Sequence, residues 1–477
     1  MAKDQLVFDK VHGPLFGEVT ETSVVVWYRD ELGVQFPPVL TVWKDDDDPE
    51  DDTTKIKLKL HPMDPNADFT SKTTLTGLTP ATLYVYEIGD RYGSFKTSGS
   101  KSVHFVFGSC IGGQGYGRYT PEHPDGPGFP IFKAMAKLEP DFIQIQGDFI
   151  YADNPIHKVS PVPFFQGQTF QTPNNVDVLE VATDLESFRA RYKYNLEDEA
   201  LGDFLRNTVV FNTWDDHEIF DDFGQDRLKS QGKEDLYQHG ERVFHEYWPF
   251  EGPPEEPKRI YRKAKFGIHA ELFVLDTRSY RALHEEHDPG VTPTMKHILG
   301  PEQKQWLLDA LRDSTTTWKF ICTSVPLAYP TGWPRPAETG YDGWSDGSDV
   351  SMGGPELELQ EVLYFIQQNQ IHNVMFISGD VHFPFAISYD PFEQGTPLFY
   401  EIGSTPFHAL CLPVPEKGPD KSFNPTTLYA DGKFADQSFL NFGQVKIDET
   451  GELEFHLRNV HGDSMYELKL TPKGVCQ

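Results

Sequence analysis

The stretch that most constrains this chain runs from an apolar segment into a turn that carries oxygen ligands. Residues 141–146 read Asp-Phe-Ile-Gln-Ile-Gln and predict a buried strand, which Gly147-Asp-Phe-Ile-Tyr-Ala-Asp153 follows directly. Open α/β sheets place their chemistry at the carboxyl ends of strands, so we expect Asp148 at such an edge. Its two oxygens can bridge two cations, and the Tyr151 phenolate suits ferric iron. A tight strand-to-helix turn with a buried tyrosine fits the same residues equally well.

Four other predicted strands end in polar sequence of the same kind. The residues that follow them are Cys110 after 104–107, Asp215, Asp216 and His217 after 208–214, Asp276 and Arg278 after 268–275, and Asp380 and His382 after 374–378. Five such ends in one α/β domain, with thiol, carboxylate, phenol and imidazole groups, predict a site for two or three metal ions. The thiolate and the phenolate together favour a trivalent iron on one side.

The order of the predicted elements divides the chain into two domains. Residues 10–98 consist of short β-branched and aromatic runs separated by turn residues, which predicts an all-β fold. Leu75-Thr-Gly-Leu-Thr-Pro80 resembles the strand-to-strand corner of fibronectin type III-like sandwiches. From about residue 100 the strands alternate with helical segments, which indicates a layered α/β domain. We therefore predict a β-sandwich domain over 1–99 and a catalytic domain over 100–477.

Two segments between the predicted elements have an unusual composition. Residues 45–52 are almost entirely acidic, and they fit either a calcium site or a solvated hairpin loop, although the spacing does not match an EF-hand. Residues 154–183 are irregular and aromatic, and loops of this length are usually functional or disordered. We hypothesise that some of Phe164, Phe165 and Phe170 wall a pocket for an organic ester group. Packing within the loop is the alternative.

Charge and cysteine content exclude several classes of protein. The 477-residue chain has a formal net charge of −31, which argues against binding to nucleic acid or to anionic membranes. An anionic substrate would need a local positive centre, which bound metal supplies. The four cysteines form no C-x-x-C pair, so neither a disulfide framework nor a zinc ribbon is expected. We see no apolar run long enough for a transmembrane helix and no signal peptide.

In their order along the chain, these motifs resemble a known family. Gly147-Asp-x-x-Tyr-Ala-Asp153 matches the iron-binding motif of purple acid phosphatases. The whole set is similar to the PhoD-type alkaline phosphatases and phosphodiesterases, a branch of the calcineurin-like metallophosphoesterases, through Gly108-Ser-Cys, Trp214-Asp-Asp-His-Glu, Leu275-Asp-Thr-Arg and Gly379-Asp-Val-His. The resemblance covers roughly residues 10–465. It implies an α/β fold with a four-layer metallophosphoesterase β-sandwich flanked by helices, preceded by a fibronectin III-like sandwich.

The resemblance also implies which residues hold the metal ions. Ferric iron would bind to Cys110, Asp148, Tyr151 and His382. Asp148 would in addition bridge to one or two divalent ions. Calcium is frequent in this family, and zinc, manganese and magnesium are alternatives.

The second metal and the chemistry would depend on a further set of residues. Asp216 stands in the place of the asparagine of the general Gly-Asn-His-Glu motif and would bind the divalent ion together with Asp380. Asp215 would be an additional ligand. His217 would be the catalytic imidazole beside the leaving group, and Arg278 would lie near the phosphate.

The sequence departs from the family pattern at two places. Many relatives carry an asparagine pair after Asp-Asp-His-Glu, whereas residues 219–224 here include Asp221 and Asp222, which would add negative charge to the divalent site. Purple acid phosphatases have another histidine ligand where this chain has Thr323 and Ser324. Carboxylates would then have to supply that coordination.

Structural interpretations compete with the functional ones for individual residues. Cys110 taken alone fits a buried, small apolar residue. Asp215 and Asp216 suit a helix N-terminus, with the following histidine as a cap, but this leaves the other strand ends unexplained. Arg278 has an alternative role as the ion-pair partner of Asp276.

The reaction that the resemblance implies is hydrolysis of phosphate monoesters, diesters or both. A metal-held hydroxide would attack phosphorus in line with the leaving oxygen, because a metal lowers the pKa of water from 15.7 to about 7. His217 would protonate or stabilise the leaving alkoxide. The alternatives are a phospholipase D-like phosphodiesterase, a metal-dependent hydrolase of another ester class and a non-catalytic calcium-binding β-sandwich protein. The expected partner is a small phosphate ester, and the family suggests a secreted or periplasmic location.

Overall fold

The computed structural model describes most of the chain, namely residues 8–118, 128–156, 159–161, 169–171, 178, 180–282, 296–331, 342–345, 347–348 and 352–473. The strands are β1 (Val11–Gly17), β2 (Ser23–Asp30), β3 (Val39–Lys44), β4 (Ile56–Lys59), β5 (Thr70–Thr76), β6 (Leu83–Ile88), β7 (Arg91–Lys96), β8 (Val103–Gly108), β9 (Phe142–Gln146), β10 (Val159–Pro161), β11 (Thr169–Gln171), β12 (Val209–Thr213), β13 (Arg262–Phe266), β14 (Ala270–Val274), β15 (Trp318–Cys322), β16 (Val374–Ser378), β17 (Phe385–Tyr389), β18 (Phe399–Gly403), β19 (Pro425–Ala430), β20 (Asn441–Ile447), β21 (Leu453–Asn459) and β22 (Ser464–Leu470). The helices are α1 (Ile131–Ala136), α2 (Leu185–Leu196), α3 (Glu199–Arg206), α4 (Gln225–Gln231), α5 (Glu234–Tyr247), α6 (Gly300–Asp313) and α7 (Gly354–Gln368).

The N-terminal part is an antiparallel β-sandwich, as the alternating aromatic and β-branched runs predict. One sheet has the order β1-β2-β5 and the other the order β4-β3-β6-β7. Their inner faces bury Phe16, Tyr86 and Phe95, and the rings of Phe16 and Phe95 stack with centroids 4.5 Å apart. The acidic run lies in the loop of the β3–β4 hairpin. The predicted domain boundary near residue 99 stays a prediction.

The rest of the chain is built on two larger sheets that pack face to face. The six-stranded sheet has the order β12-β9-β8-β20-β21-β22, and the seven-stranded sheet the order β13-β14-β15-β16-β18-β17-β19. Strands β8, β9 and β12 are parallel in the first sheet, as are β14, β15, β16 and β18 in the second. Phe105 of β8 contacts Phe320 of β15 edge to face at 5.0 Å, so the two sheets share one apolar core.

Helices cover the outer faces of both sheets. Residues of α1, α2, α3 and α5 pack in the apolar cluster on the outer side of the six-stranded sheet, and α6 and α7 belong to the cluster behind the seven-stranded sheet. Strands β9, β12, β14, β15 and β16 are buried along their whole length, as expected for strands covered on both faces. The predicted α/β fold, with a four-layer sandwich flanked by helices, is confirmed.

The structure differs from one alternative interpretation and from one local prediction. Residues 219–224 form turns, and α4 begins only at Gln225, so no helix N-terminus explains Asp215 and Asp216. Within the predicted irregular segment 154–183, β10 and β11 form a short antiparallel hairpin. Phe164 and Phe165 lie outside the described residues, as does the side chain of Phe170. Among the described helices, none combines the length and the apolar character that spanning a membrane requires.

Candidate metal centre

The five predicted strand ends meet at one edge of the paired sheets. Strands β8, β9 and β12 deliver their polar residues from one sheet, and β14 and β16 deliver theirs from the other. Four groups of candidate metal ligands result, with the ligand atoms of each group within 4.8 Å of one another. The groups are Cys110, Asp148 and His382; Asp148, Asp216 and His217; Asp215, Asp216 and Asp380; and Asp216, Asp221 and Asp222.

The first group contains the predicted iron ligands. Cys110 Sγ lies 3.4 Å from Asp148 Oδ2, and the Tyr151 hydroxyl lies 3.0 Å from His382 Nε2. All four side chains are at most 5% exposed. The other ring nitrogen of His382, Nδ1, donates to the Leu410 carbonyl oxygen at 2.6 Å, which leaves Nε2 as the metal-facing atom. A thiol, a phenol, a carboxyl and an imidazole therefore converge on one buried point.

Asp148 joins this group to a set of carboxylates. Its carboxylate also belongs to the group with Asp216 and His217, so it lies between two possible cation positions. Asp215 Oδ2 and Asp216 Oδ1 are both buried, and neither has a hydrogen-bond partner among the described residues. Orphaned carboxylate oxygens in a buried acidic site are costly unless a cation binds them. The donor set thus fits the metal ions that the sequence resemblance implies.

The pKa shifts of the acidic groups also favour bound cations at the site. Burial raises the pKa of Asp215 and of Asp380 to about 7, and it raises the pKa of Asp148 well above the usual range. Neighbouring acidic groups add to each shift. Burial also raises the pKa of the Cys110 thiol to about 12. Bound cations would lower these pKa values again, because positive charge stabilises the ionised form of each of these groups.

Backbone conformation brings the ligands close together. Cys110, Asp148, Asp380 and His382 all have positive φ, between 52° and 69°, which is uncommon for residues with a side chain. Strained conformations of this kind cluster at functional sites. The three turns that contain these residues aim their side chains into the space beyond the strand ends rather than along the sheet.

Two glycines in the motifs allow the strand ends to approach each other. A Cβ atom on Gly147 would lie 2.5 Å from the Cβ atom and backbone nitrogen of Asp215. A Cβ atom on Gly379 would lie 2.4 Å from the hydroxyl oxygen of Ser109. Both contacts are shorter than real Cβ contacts, so only glycine fits at either position.

The predicted catalytic imidazole lies against Tyr151, one of the predicted iron ligands. The ring of His217 stacks on the ring of Tyr151 with centroids 4.2 Å apart. His217 Nδ1 is 2.7 Å from Asp153 Oδ1, and its Nε2 is 3.8 Å from Asp221 Oδ1. Burial opposes a charge on His217, but nearby carboxylates, Asp153 first among them, outweigh it and raise its pKa well above the usual value.

Arg278 is completely buried and interacts with three carboxylates, of which Asp216 is the most distant, with Oδ1 3.7 Å from a terminal nitrogen. Its Nε donates to Asp215 Oδ1 at 2.6 Å, and its two terminal nitrogens donate to Asp342 at 2.6 and 2.7 Å. The sequence also allowed an ion pair between Arg278 and Asp276. Asp276 instead accepts hydrogen bonds from the Trp214 indole and from the backbone N–H of Arg278. The guanidinium of Arg278 therefore fixes the orientation of Asp215.

The departures from the family pattern also fall at the site. Asp221 and Asp222 lie beside Asp216, where they add the negative charge that the sequence suggests. Ser324, at the second departure from the pattern, donates to Asp215 Oδ1 at 2.7 Å and so orients a carboxylate of the site. Thr323 accepts a hydrogen bond from the Trp344 indole at 3.1 Å.

Comparison with known proteins agrees with this geometry. The family model for PhoD-like phosphatase matches residues 105–457, which is most of the chain. The chain belongs to the PhoD-like phosphatase family. Alkaline phosphatase D of Bacillus subtilis (strain 168) is 26% identical over 335 residues, which cover 64% of this chain and 52% of that protein. The match thus spans about half the length of this curated relative.

Two solved structures share the fold of this PhoD-like chain. A structure of PhoD superposes with a TM-score of 0.71 at 20% identity, over 98% of this chain and 90% of the other. A purple acid phosphatase from yellow lupin (Lupinus luteus) seeds gives a TM-score of 0.57 at 12% identity, over 97% and 74% of the two chains. At these identities the likeness shows the fold alone.

Three residues of this PhoD-like site escaped the sequence interpretation. Glu218 accepts hydrogen bonds from the backbone N–H groups of Asp148, Phe149 and Asp215 at 3.0, 2.7 and 2.8 Å, and so ties two strand ends together. Asp153 and Asp342 contact His217 and Arg278, as described above. Glu218 and Asp153 lie inside the family-like motifs, so the sequence could have identified them as site residues. Asp342 lies in a loop outside those motifs, and no sequence pattern indicates its role.

Proposed function

We propose that this chain hydrolyses phosphate esters, both monoesters and diesters, in a metal-dependent reaction. The observation that carries the proposal is the buried carboxylate of Asp148, which belongs to both the thiol-containing group and the carboxylate-rich group of ligands. Membership of the PhoD-like phosphatase family supports it. A shared carboxylate between two cation positions is the arrangement that in-line displacement at phosphorus uses.

The donor types support a different metal on each side. Cys110, Tyr151 and His382 offer sulfur, phenol oxygen and imidazole nitrogen, and with Asp148 they would hold ferric iron. The other side offers oxygen atoms from Asp216 and its carboxylate neighbours. Oxygen-only ligation favours hard divalent ions, so we propose one or two calcium ions there, with zinc, manganese or magnesium as alternatives.

The remaining carboxylates complete the divalent side. Asp215 and Asp380 lie in one group with Asp216, and all three would be ligands. Arg278 and Ser324 hold one oxygen of Asp215 and leave Oδ2 for a cation. When bound, the cations supply Lewis acidity, which offsets charge on phosphoryl oxygens and makes water a nucleophile at neutral pH.

His217 is the side chain that we propose to assist the leaving group. Asp153 accepts a hydrogen bond from Nδ1–H, which fixes the ring orientation and leaves Nε2 for the leaving oxygen. Proton transfer from a positioned imidazole contributes about 10² to 10⁴-fold to such reactions. Arg278 is proposed to act near the phosphate through Asp215, since its guanidinium is bound to carboxylates.

The test is hydrolysis of a chromogenic phosphodiester and a chromogenic phosphomonoester, before and after the protein is stripped of metal. We expect activity that is lost on stripping and restored by ferric iron with calcium. Sulfate and carboxylate esters are the matched controls, and preference for either of them would contradict the proposal. Full activity in the stripped protein would also contradict it.

A further inference from the structure

Two hydroxyl groups surround the sulfur of Cys110. Thr405 donates from Oγ1 to Sγ at 3.1 Å, and Ser109 Oγ lies 3.1 Å from the same atom. All three residues are at most 1% exposed. Water does not reach a sulfur so placed, so these hydroxyls take the place of solvent around any negative charge that it carries.

The segment that contains Thr405 is fixed against the turn that contains Cys110. The Phe407 N–H donates to the Ser109 carbonyl oxygen at 2.7 Å, and the His408 N–H donates to the Cys110 carbonyl oxygen at 2.9 Å. These two backbone hydrogen bonds run in sequence along both segments. The Thr405 hydroxyl therefore has a defined position relative to the sulfur rather than reaching it from a free loop.

A buried amide holds the same segment from the other side. Asn441 at the start of β20 donates from Nδ2 to the Thr405 carbonyl oxygen at 2.6 Å. Its Oδ1 accepts from the Ser404 hydroxyl at 3.0 Å. Asn441 and Ser404 are both fully buried. The network supports Thr405 through its backbone and leaves its hydroxyl for Cys110.

We propose that Thr405 is a positioning residue for Cys110, and that its hydrogen bond withdraws electron density from the sulfur that would bind ferric iron. The inference rests on the proposed function, because it assigns a role toward the metal of that site. Hydrogen bonds to ligating sulfurs and the outer contacts of metal ligands tune the electronic properties of a centre and its affinity for metal. Ser109 acts on the same atom from the neighbouring position.

The test replaces Thr405 with valine, which has nearly the same shape and lacks the hydroxyl. The variant and the wild type are loaded with ferric iron, and their visible absorption and iron retention against a chelator are compared. We expect the sulfur-to-iron charge-transfer band of Thr405→Val to move to lower energy, because the sulfur electrons are less stabilised. Iron affinity should fall roughly 10- to 100-fold.

Two further variants separate electronic tuning from a general loss of structure. Thr405→Ser keeps the hydroxyl and should restore the wild-type band. Thr97→Val is the control, because Thr97 is buried and donates to the Thr79 carbonyl oxygen at 2.7 Å in the N-terminal sandwich. It should leave the band and the iron retention unchanged. If Thr405→Val does not fold, Ser109→Ala provides the same measurement, with a shift in the same direction.

The outcomes distinguish the inference from the function on which it rests. A Thr405→Val protein with the wild-type band and retention overturns the inference, while the wild type still binds iron and hydrolyses esters. Loss of iron without a shift of the band, unrelieved by serine, reduces Thr405 to a structural role and also overturns it. A wild-type protein that binds no ferric iron overturns the metal assignment and the inference together.

Discussion

At the scale of single residues, the site depends on side chains that hold other side chains. Asp153 orients His217 from 64 residues away, and Arg278 orients Asp215 across the boundary between the two large sheets. These contacts leave an imidazole nitrogen and a carboxylate oxygen facing the ligand space. Removing the outer partner should therefore reduce the reaction without removing the group that performs it.

Asp153→Asn should lower kcat at least about 10-fold, because the amide no longer fixes the imidazole in its hydrogen-bonding state. Metal content, measured by elemental analysis, should stay near the wild-type value. His217→Ala should lower kcat further, also with normal metal content. Asp309→Asn, on the exposed face of α6, is the matched control. If Asp153→Asn lowered kcat in the His217→Ala background as much as in the wild type, Asp153 would not act through His217.

A second residue-scale prediction concerns His104 in β8. Burial lowers its pKa from 6.5 to about 4, and its Nε2 accepts from Gln444 Nε2 at 2.7 Å. Between these two pH values His104 binds a proton in the unfolded chain but not in the folded protein. The free energy of unfolding is therefore highest above pH 6.5 and falls as the pH drops toward 4. At about pH 5 the loss is about 2 kcal/mol.

The comparison for His104 uses urea unfolding near pH 7.5 and near pH 5. His104→Gln cannot take up the proton, and its free energy of unfolding should decline by about 2 kcal/mol less between these two conditions than that of the wild type. An equal decline in both proteins would show that His104 does not titrate in this range.

At the scale of elements, the site depends on how closely the end of β9 approaches the end of β12. The two strands pair in parallel from Phe142 and Val209 to Gln146 and Thr213. Gly147 follows β9 with φ of 96°, and its missing side chain lets the backbone of Asp215 come near. Glu218 then binds both strand ends through their N–H groups.

Gly147→Ala should lower the free energy of unfolding by about 2–5 kcal/mol, the sum of backbone strain and overpacking. It should also weaken metal binding, because the new methyl group separates Asp148 from Asp215. Gly77→Ala separates the two causes, since Gly77 has φ of 81° and no heavy atom near its missing Cβ. Equal destabilisation in the two variants would assign the whole cost to φ and contradict the steric argument.

At the scale of the molecule, buried charges fasten the N-terminal sandwich to the helices beside the site. Asp68 accepts from Arg29 at 3.1 Å within the sandwich and pairs with Lys193 of α2 at 3.2 Å. It also accepts a hydrogen bond from Tyr247 of α5. Asn195 of the same helix α2 donates a hydrogen bond to the carbonyl oxygen of Phe149, next to Asp148. The sandwich thus supports the helix that contacts the turn with the candidate metal ligand Asp148.

Asp68→Asn should lower the free energy of unfolding by about 3–5 kcal/mol, because Lys193 loses its carboxylate partner and the buried Arg29 keeps only Glu31. Asparagine is chosen because it tolerates the positive φ of 50° at this position. Asp52→Asn is the control, since Asp52 is exposed and pairs with Lys55 on the surface. Urea unfolding measures both, and equal stability of the two variants would contradict the fastening role of Asp68.

The sequence by itself determined most of the strands and helices and the list of candidate metal ligands. Apolar runs of strand length specify β9, β12 and β16 because they must be buried on both faces. Polar residues directly after such strands lie at one sheet edge because parallel strands share their carboxyl ends. The helical sequence that follows Glu218 forms α4 and α5, but residues 219–224 form turns instead. In the folded site the N–H groups of His217 and Asp222 donate to the carboxylates of Asp148 and Asp216, and these contacts override local helix propensity.

Only the tertiary structure decided which outer side chain forms a hydrogen bond with which residue of the site. The partners of Cys110 and Arg278, namely Thr405 and Asp342, are 295 and 64 residues away in the chain. Contacts over such separations depend on the packing of two sheets and on turns with positive φ, and local sequence specifies neither. The sequence therefore predicts the chemistry available at the sheet edge, and the packing of the two sheets decides how those groups are oriented.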